Sequence, residues 1–239
     1  MTQLHAPASP RSTRLPATAA AGDLAIELAG EAMVLLPERA LYRPAASTLL
    51  IADPHWGKAA AFRAAGVAVP GGTTTEGLER LTAALERTGA ARLVVLGDLL
   101  HARAGRAPRT LAAVAAWRER HPRLAVTLVR GNHDRHAGDP PAELGIDCCD
   151  PPCAEGPFVL SHHPRPAPGG YVLAGHLHPA VSLRGAGRQR ERLPCFHFGA
   201  RVGLLPAFGG FTGSADVSVA PGDRVYVVAD GQVVEALVR

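Results

Sequence analysis

Arg92-Leu93-Val94-Val95-Leu96-Gly97-Asp98-Leu99-Leu100-His101 is an apolar run that stops at a glycine and an aspartate. It predicts a buried strand whose chain leaves the sheet at Gly97, with Asp98 and His101 just beyond its carboxyl end. The same arrangement occurs before and after it. Residues 48–52 run into Asp53-Pro54-His55, and residues 124–129 run into Gly131-Asn132-His133-Asp134. Further on, residues 158–160 precede Ser161-His162-His163-Pro164, and residues 171–174 precede Gly175-His176-Leu177-His178. These five segments hold seven of the chain's 11 histidines.

Between the first three strands the pattern is helical. Leu78, Leu81 and Leu85 fall at helical spacing in 73–88, with Gly89 as a C-terminal stop, and a second helix over 109–120 is closed by Pro122. Strand, helix, strand, helix, strand is the pattern of a largely parallel sheet. Short strands at 24–28, 32–36 and 40–42 lead into it. Beyond residue 157 the reading changes to short strands with Gly/Pro turns, at 158–160, 171–174, 195–198, 224–229 and 232–238, mostly antiparallel. Asp230-Gly231 between the last two signals a hairpin.

Composition narrows the class. The chain has 239 residues, 47% of them hydrophobic, enough for a substantial core. Residues 1–22, rich in Ala, Pro, Ser and Thr, read as a disordered tail without the apolar segment of a signal peptide. Residues 23–239 read as a single domain. No run approaches the ~18 apolar residues of a membrane span, so a cytoplasmic protein is expected. The net charge of +4 is only modestly basic, and Lys58 is the single lysine among 25 basic residues. Cys148, Cys149 and Cys153 in a Pro-rich stretch read as reduced thiols near a loop, not as a zinc knuckle.

In open α/β sheets the space beyond the carboxyl ends of the strands holds the ligand. Asp53, Asp98, Asn132, His162, His176 and His178 all fall there, with His55 as a seventh candidate. Seven donors exceed what one tetrahedral ion takes. They suit two divalent ions roughly 3.5–4 Å apart that share a carboxylate. The mixture of carboxylate, imidazole and amide favours Mn, Fe or Zn over Ca or Mg alone. Singly, each motif reads as an ordinary turn; five in this order, each after a strand, do not.

Asp-x-His, Gly-Asp-x-x-His, Gly-Asn-His-Asp, His and Gly-His-x-His, in that order, resemble the calcineurin-like metallophosphoesterase superfamily. The resemblance implies an α/β fold: a four-layer αββα sandwich of two mixed sheets flanked by helices, with a dinuclear centre between the sheets. It implies that Asp53, His55 and His178 hold one metal, that Asn132, His162 and His176 hold the other, and that Asp98 bridges. Manganese is the expected ion, with Fe and Zn as alternatives. His133 would be the acid or phosphate-contacting residue beside the metals. His162, nearer its strand, takes the ligand role over His163, and His163 and His101 stand behind the ligands. Asp53-Pro54-His55-Trp56-Gly57-Lys58, Phe62-Arg63, Gly66 and Pro70-Gly71 resemble more narrowly the bacterial DNA ligase-associated PdeM phosphoesterases and endonucleases, as does 97–103. Pro54 and Trp56 depart from the usual residues beside the first histidine without removing a ligand.

The chemistry so implied is metal-assisted hydrolysis of a phosphodiester, with DNA as substrate and a DNA ligase or helicase repair system as partner. A phosphoesterase for nucleotides or small diesters is the second reading, and a binding protein without catalysis the third. Lys58, Arg63 and Arg103 are candidate substrate contacts, Lys58 being balanced against an ordinary exposed lysine. The arginines of 184–192 either track a nucleic-acid backbone or form a solvated hairpin. With 5% aromatics and none interleaved there, stacking of single-stranded bases is not expected.

Overall fold

In the computed structural model, residues 20–184 and 190–236 are described. Most of the expected N-terminal tail and Arg188 therefore lie outside the described residues. The first sheet has seven strands in chain order: β1 (Leu24–Leu28), β2 (Glu31–Leu36), β3 (Ala40–Arg43), β4 (Thr48–Ile51), β5 (Arg92–Leu96), β6 (Ala125–Val129) and β7 (Ile146–Cys149). The meander β1 to β4 is antiparallel, and β4 to β7 are parallel. The parallel part is made by crossovers through α1 (Lys58–Ala64) and α2 (Thr73–Thr88), then α3 (Pro108–Arg120), then the short α4 (Asn132–Ala137). This is why β4, β5 and β6 point their carboxyl ends, and the motifs after them, to one edge.

The second sheet comprises β8 (Cys153–Glu155), β9 (Phe158–Leu160), β10 (Tyr171–Ala174), β11 (Pro179–Arg184), β12 (Arg190–Phe198), β13 (Val202–Leu204), β14 (Ala215–Asp216), β15 (Arg224–Ala229) and β16 (Gln232–Ala236). Most of its pairings are antiparallel as expected, but the sheet is mixed: β10 lies parallel to both β9 and β13, and β11 to β14. Parallel pairing sets His162, after β9, beside the segment after β10 that carries His176 and His178. The hairpin at Asp230-Gly231 forms as expected, with both residues at positive φ. Cys148 and Cys149 end β7 and Cys153 opens β8, so these thiols flank a tight connection between strands and are free.

The alternation of side chains along each strand assigns its two faces. Leu49, Ile51, Leu93, Val95, Val126 and Leu128 face α2 and α3, where Leu78, Leu81, Leu85, Val114 and Trp117 meet them. Leu50, Val94, Leu96 and Val129, one residue out of step, face Phe158, Leu160, Leu173, Phe196 and Phe198 of the second sheet. Trp56 is buried in the helix-side core with its ring 6.1 Å from that of Trp117, so its departure from the usual residue fills the core. The α-helices among the described residues all precede Gly138 and lie with the first sheet. No described helix is long and apolar enough to cross a membrane.

Candidate metal centre

The backbone at the sheet edge is unusually bent. Asp53, His55, Asp98, His176 and His178 all have positive φ, between 46° and 71°. For residues with a Cβ this conformation is uncommon and costs of order 1 kcal/mol or more each, so five together mark a site held by its surroundings. Two glycines make the close packing feasible. A Cβ at Gly97 would lie 2.2 Å from His162 Nδ1, and one at Gly131 would lie 2.3 Å from Asp98 Oδ1. The glycines ahead of Asp98 and Asn132 are thus required by side chains that cross behind them.

The donors fall into two groups. In the first, Asp53, His55 and His178 have ligand atoms within 4.8 Å of one another. His55 Nε2 is 3.3 Å from His178 Nε2, and Asp53 Oδ1 is 3.7 Å from the latter. In the second, His162 Nε2 lies 2.9 Å from Asn132 Oδ1 and 3.1 Å from His176 Nδ1. Asp98 stands between them: its Oδ2 is 3.8 Å from His55 Nε2, and its Oδ1 is 3.4 Å from His162 Nε2. One carboxylate presents an oxygen to each group, as a bridging ligand must. All seven residues predicted as ligands are therefore brought together.

The residues fit a pair of cations on three observations. First, Asp53 Oδ1 is buried and has no hydrogen-bond partner among the described residues, a costly state for a carboxylate oxygen with nothing positive beside it. Second, the histidines are held in the tautomer that bares the inward nitrogen. His162 Nδ1 donates to the Leu96 carbonyl at 3.1 Å and His178 Nδ1 to the Gly213 carbonyl at 2.9 Å. A carbonyl only accepts, so the protons sit there and both Nε2 atoms keep lone pairs that point inward. Third, burial depresses His55 to about 2 and His162 to about 4, so both are neutral imidazoles near pH 7. Two divalent ions bound here would supply charge for a phosphate group and lower the pKa of a water to allow attack at neutral pH.

His133 and His101 complete the edge. His133 Nδ1 donates to the His101 carbonyl at 2.6 Å, leaving Nε2 bare and 3.9 Å from Asp98 Oδ2, with the side chain 37% exposed. His101 Nδ1 is 3.3 Å from His55 Nδ1 and, depressed by burial to about 4, is a neutral acceptor for that ring. It therefore orients two histidines at once. His163 packs its ring against His176 at 4.3 Å but remains half-buried, while His162 is completely buried among the donors. Lys58 is half-buried at the start of α1. Burial lowers its pKa while the charge of Asp98 opposes that, so its ammonium lies within electrostatic reach of the centre.

The two candidate arginines are placed differently. Arg63 Nη1 donates to the Pro70 carbonyl at 3.2 Å and Arg103 Nε to the His136 carbonyl at 3.2 Å, so each holds a loop. Arg63 also lines, with Arg109 and Thr73–Thr75, a groove of about 710 Å³ that none of the seven donor residues lines. Of the arginine run, Arg192 lies 3.3 Å from Asp216 on the exposed side of the second sheet. Sequence reading missed Asp134, although it closes the quoted Gly-Asn-His-Asp motif. Its carboxylate accepts from the backbone N–H groups of Asp98, Gly131 and Leu99 at 2.7, 2.8 and 2.9 Å, and from Leu100 at 3.4 Å. Its place as the third residue of a helix after a glycine was the available signal. Gly213 carried none, because it reaches His178 only through the fold.

These shifts imply an acid sensitivity of the metal-free protein. His55 and His162 refuse protons in the fold that the unfolded chain accepts below about 6.5, so stability falls as pH drops from 6.5 towards 4. Each contributes about 1.4 kcal/mol per pH unit in that window. Asp134, lifted by burial to about 6, and Asp98, also raised by burial, act in the opposite direction and offset part of the loss. His178, raised because contacts with Asp53 and the Gly213 carbonyl outweigh its burial, gains its stabilisation above pH 6.5, as pH falls towards that value, and does not offset the loss in that window. Thermal melts of EDTA-treated protein at pH 7, 6 and 5 should show a steadily falling Tm. A flat or rising Tm would contradict the assigned neutral imidazoles.

No family model and no curated protein matches the chain. Among solved structures, the nuclease MPE of Pseudomonas putida is 47% identical, with a TM-score of 0.80, over 90% of this chain and 100% of that one. The chain belongs to the calcineurin-like phosphoesterases and is a hydrolase of that class. Within the class, its family is that of nuclease MPE. Yfce, a phosphoesterase from E. coli, aligns over 80% of this chain and 99% of its own at 14% identity, with a TM-score of 0.39, a likeness too loose to add to this.

Proposed function

We propose that the chain is a manganese-dependent DNA phosphodiesterase and endonuclease, acting in cytoplasmic DNA repair beside a ligase or helicase. The observation that carries the hydrolytic part is the Asp98 carboxylate, which offers one oxygen to each of two imidazole-rich groups. The nucleic-acid part is supported by the 47% identity to a nuclease over nearly the whole chain. In this reading Asp53, His55 and His178 hold one ion, Asn132, His162 and His176 the other, and Asp98 both. Nitrogen-rich donors with two carboxylates suit manganese, iron or zinc.

The chain's own groups divide the remaining work. Lys58 faces the centre from α1 and attracts the phosphodiester. His133, half-exposed with a bare Nε2 beside Asp98, takes up a proton and delivers it to the departing oxygen, a role for which imidazole is suited near neutral pH. The His101 carbonyl keeps His133 pointed by accepting a hydrogen bond from its Nδ1–H. The test uses manganese-loaded protein against single-stranded, duplex and nicked DNA, alongside mononucleotides and cyclic nucleotides. Strand cleavage is expected, with His133→Ala slower by about 10²–10⁴-fold. Uncut DNA beside rapid turnover of a nucleotide would overturn the DNA reading; an unimpaired His133→Ala would overturn the acid role.

A further inference from the structure

We propose that Phe211, backed by Phe62, is the surface on which a nucleobase adjoining the reacting phosphate stacks. The inference rests on the DNA reading above and says where the bases of the strand go. Phe211 is 38% exposed, one of four large apolar side chains so exposed among the described residues, and Leu177, between two ligand histidines, is another. Half of that exposed apolar set thus borders the metal centre, where an ordinary scatter would not concentrate it.

The ring stands at the end of a ladder that starts inside the site. His133 and His101 stack at 4.9 Å and 23°, His101 and Phe62 at 6.0 Å and 29°, and Phe62 meets Phe211 edge-to-face at 5.8 Å and 86°. Lys58 Nζ lies 6.0 Å from the Phe62 ring. A crevice of only about 10 Å³ is lined by Pro54, His55, Lys58, Phe211 and Thr212, so the ring and the ligand His55 border the same small space. Aromatic face and cation therefore sit side by side at the place where a base and its phosphate would arrive together.

The loop carrying Phe211 is fixed at both ends to ligand-bearing backbone. Phe208 N–H donates to the Ala52 carbonyl at 2.7 Å and Gly209 N–H to the Asp53 carbonyl at 3.1 Å, while the Gly213 carbonyl receives His178 Nδ1–H. The ring is thus positioned before any strand binds, which limits the ordering cost of binding. Every base has a flat face, so the contact confers affinity for bases with little preference among them. The sequence held no sign of this because Phe62 and Phe211 are far apart in the chain.

The decisive measurement is a binding cycle read by fluorescence anisotropy. Metal-loaded protein is titrated with a dT oligonucleotide and with a fully abasic strand of equal length, both phosphorothioate-linked to resist hydrolysis. Backbone charge is the same in both, so the ratio of affinities reports the bases alone. Wild type should favour the dT strand by about tenfold. Phe211→Ala and Phe211→Leu should lose most of that ratio, and Phe211→Trp should keep it; the leucine variant removes the aromatic face while keeping apolar bulk. Should Phe211→Ala fail to fold, the leucine and tryptophan variants decide. An unchanged ratio in the leucine variant overturns the proposal. Wild type that binds both strands equally overturns stacking and leaves the DNA reading standing. Wild type that binds neither overturns both.

Discussion

Replacing Asp98 with alanine will abolish phosphodiester hydrolysis and lower the bound metal below two ions per chain. Loss of a residue that merely supports a ligand costs about 10–100-fold in activity or affinity. Asp98 offers an oxygen to both donor groups, so its loss should exceed that range, by about a thousandfold or more in rate. It leaves His55 and His162 facing a gap, and it removes the acceptor for the His133 backbone N–H at 3.0 Å. Asp98→Asn keeps a neutral oxygen for that N–H but lacks the charge, and should restore the melting temperature more than the activity. Metal content by mass spectrometry and the rate on bis-nitrophenyl phosphate check this. An Asp98→Ala protein with wild-type rate and full metal content would end the bridging role.

Asp134→Ala should be the most damaging single change away from the metal donors themselves. Four backbone N–H groups converge on this buried carboxylate, and removing it leaves buried donors without partners, at a cost of about 3 kcal/mol or more. The same bonds tie the turn after β5, which carries Asp98, to the start of α4, which carries Asn132 and His133. The variant should therefore bind metal more weakly as well as unfold earlier. Asp134→Asn, with one oxygen in place of two, should recover less than half of the loss. Urea melts and metal titration of the three proteins would measure both effects, and an alanine variant as stable as wild type would refute the clamp.

The expected strands at 24–28, 92–96, 158–160, 171–174 and 224–229 and the helix at 73–88 have the same bounds in the structure. These segments have an unbroken apolar period, and most stop directly at glycine or an aspartate turn, so local chemistry decides them. α1 and α4 were not legible, because Lys58–Ala64 and Asn132–Ala137 are short and lie inside motifs that read as turns. The parallel pairing of β9, β10 and β13 was not legible either. Gly/Pro-rich connections look the same whether a short strand returns beside its predecessor or beside a later one.

For the site, the donor list was legible because each donor follows directly on a strand end, and strand ends in a parallel sheet converge. The sequence by itself determined the donor types, their count and the edge on which they gather. Only the tertiary structure placed an oxygen of Asp98 against each group, turned the bare nitrogens of His162 and His178 inward, and buried His162 while leaving His163 half-buried. It alone brought the loop with Gly213 and Phe211 across to the ends of β4 and β10. Those outcomes depend on which backbone carbonyl each ring meets, and partners 35 or 66 residues away leave no local trace in the chain.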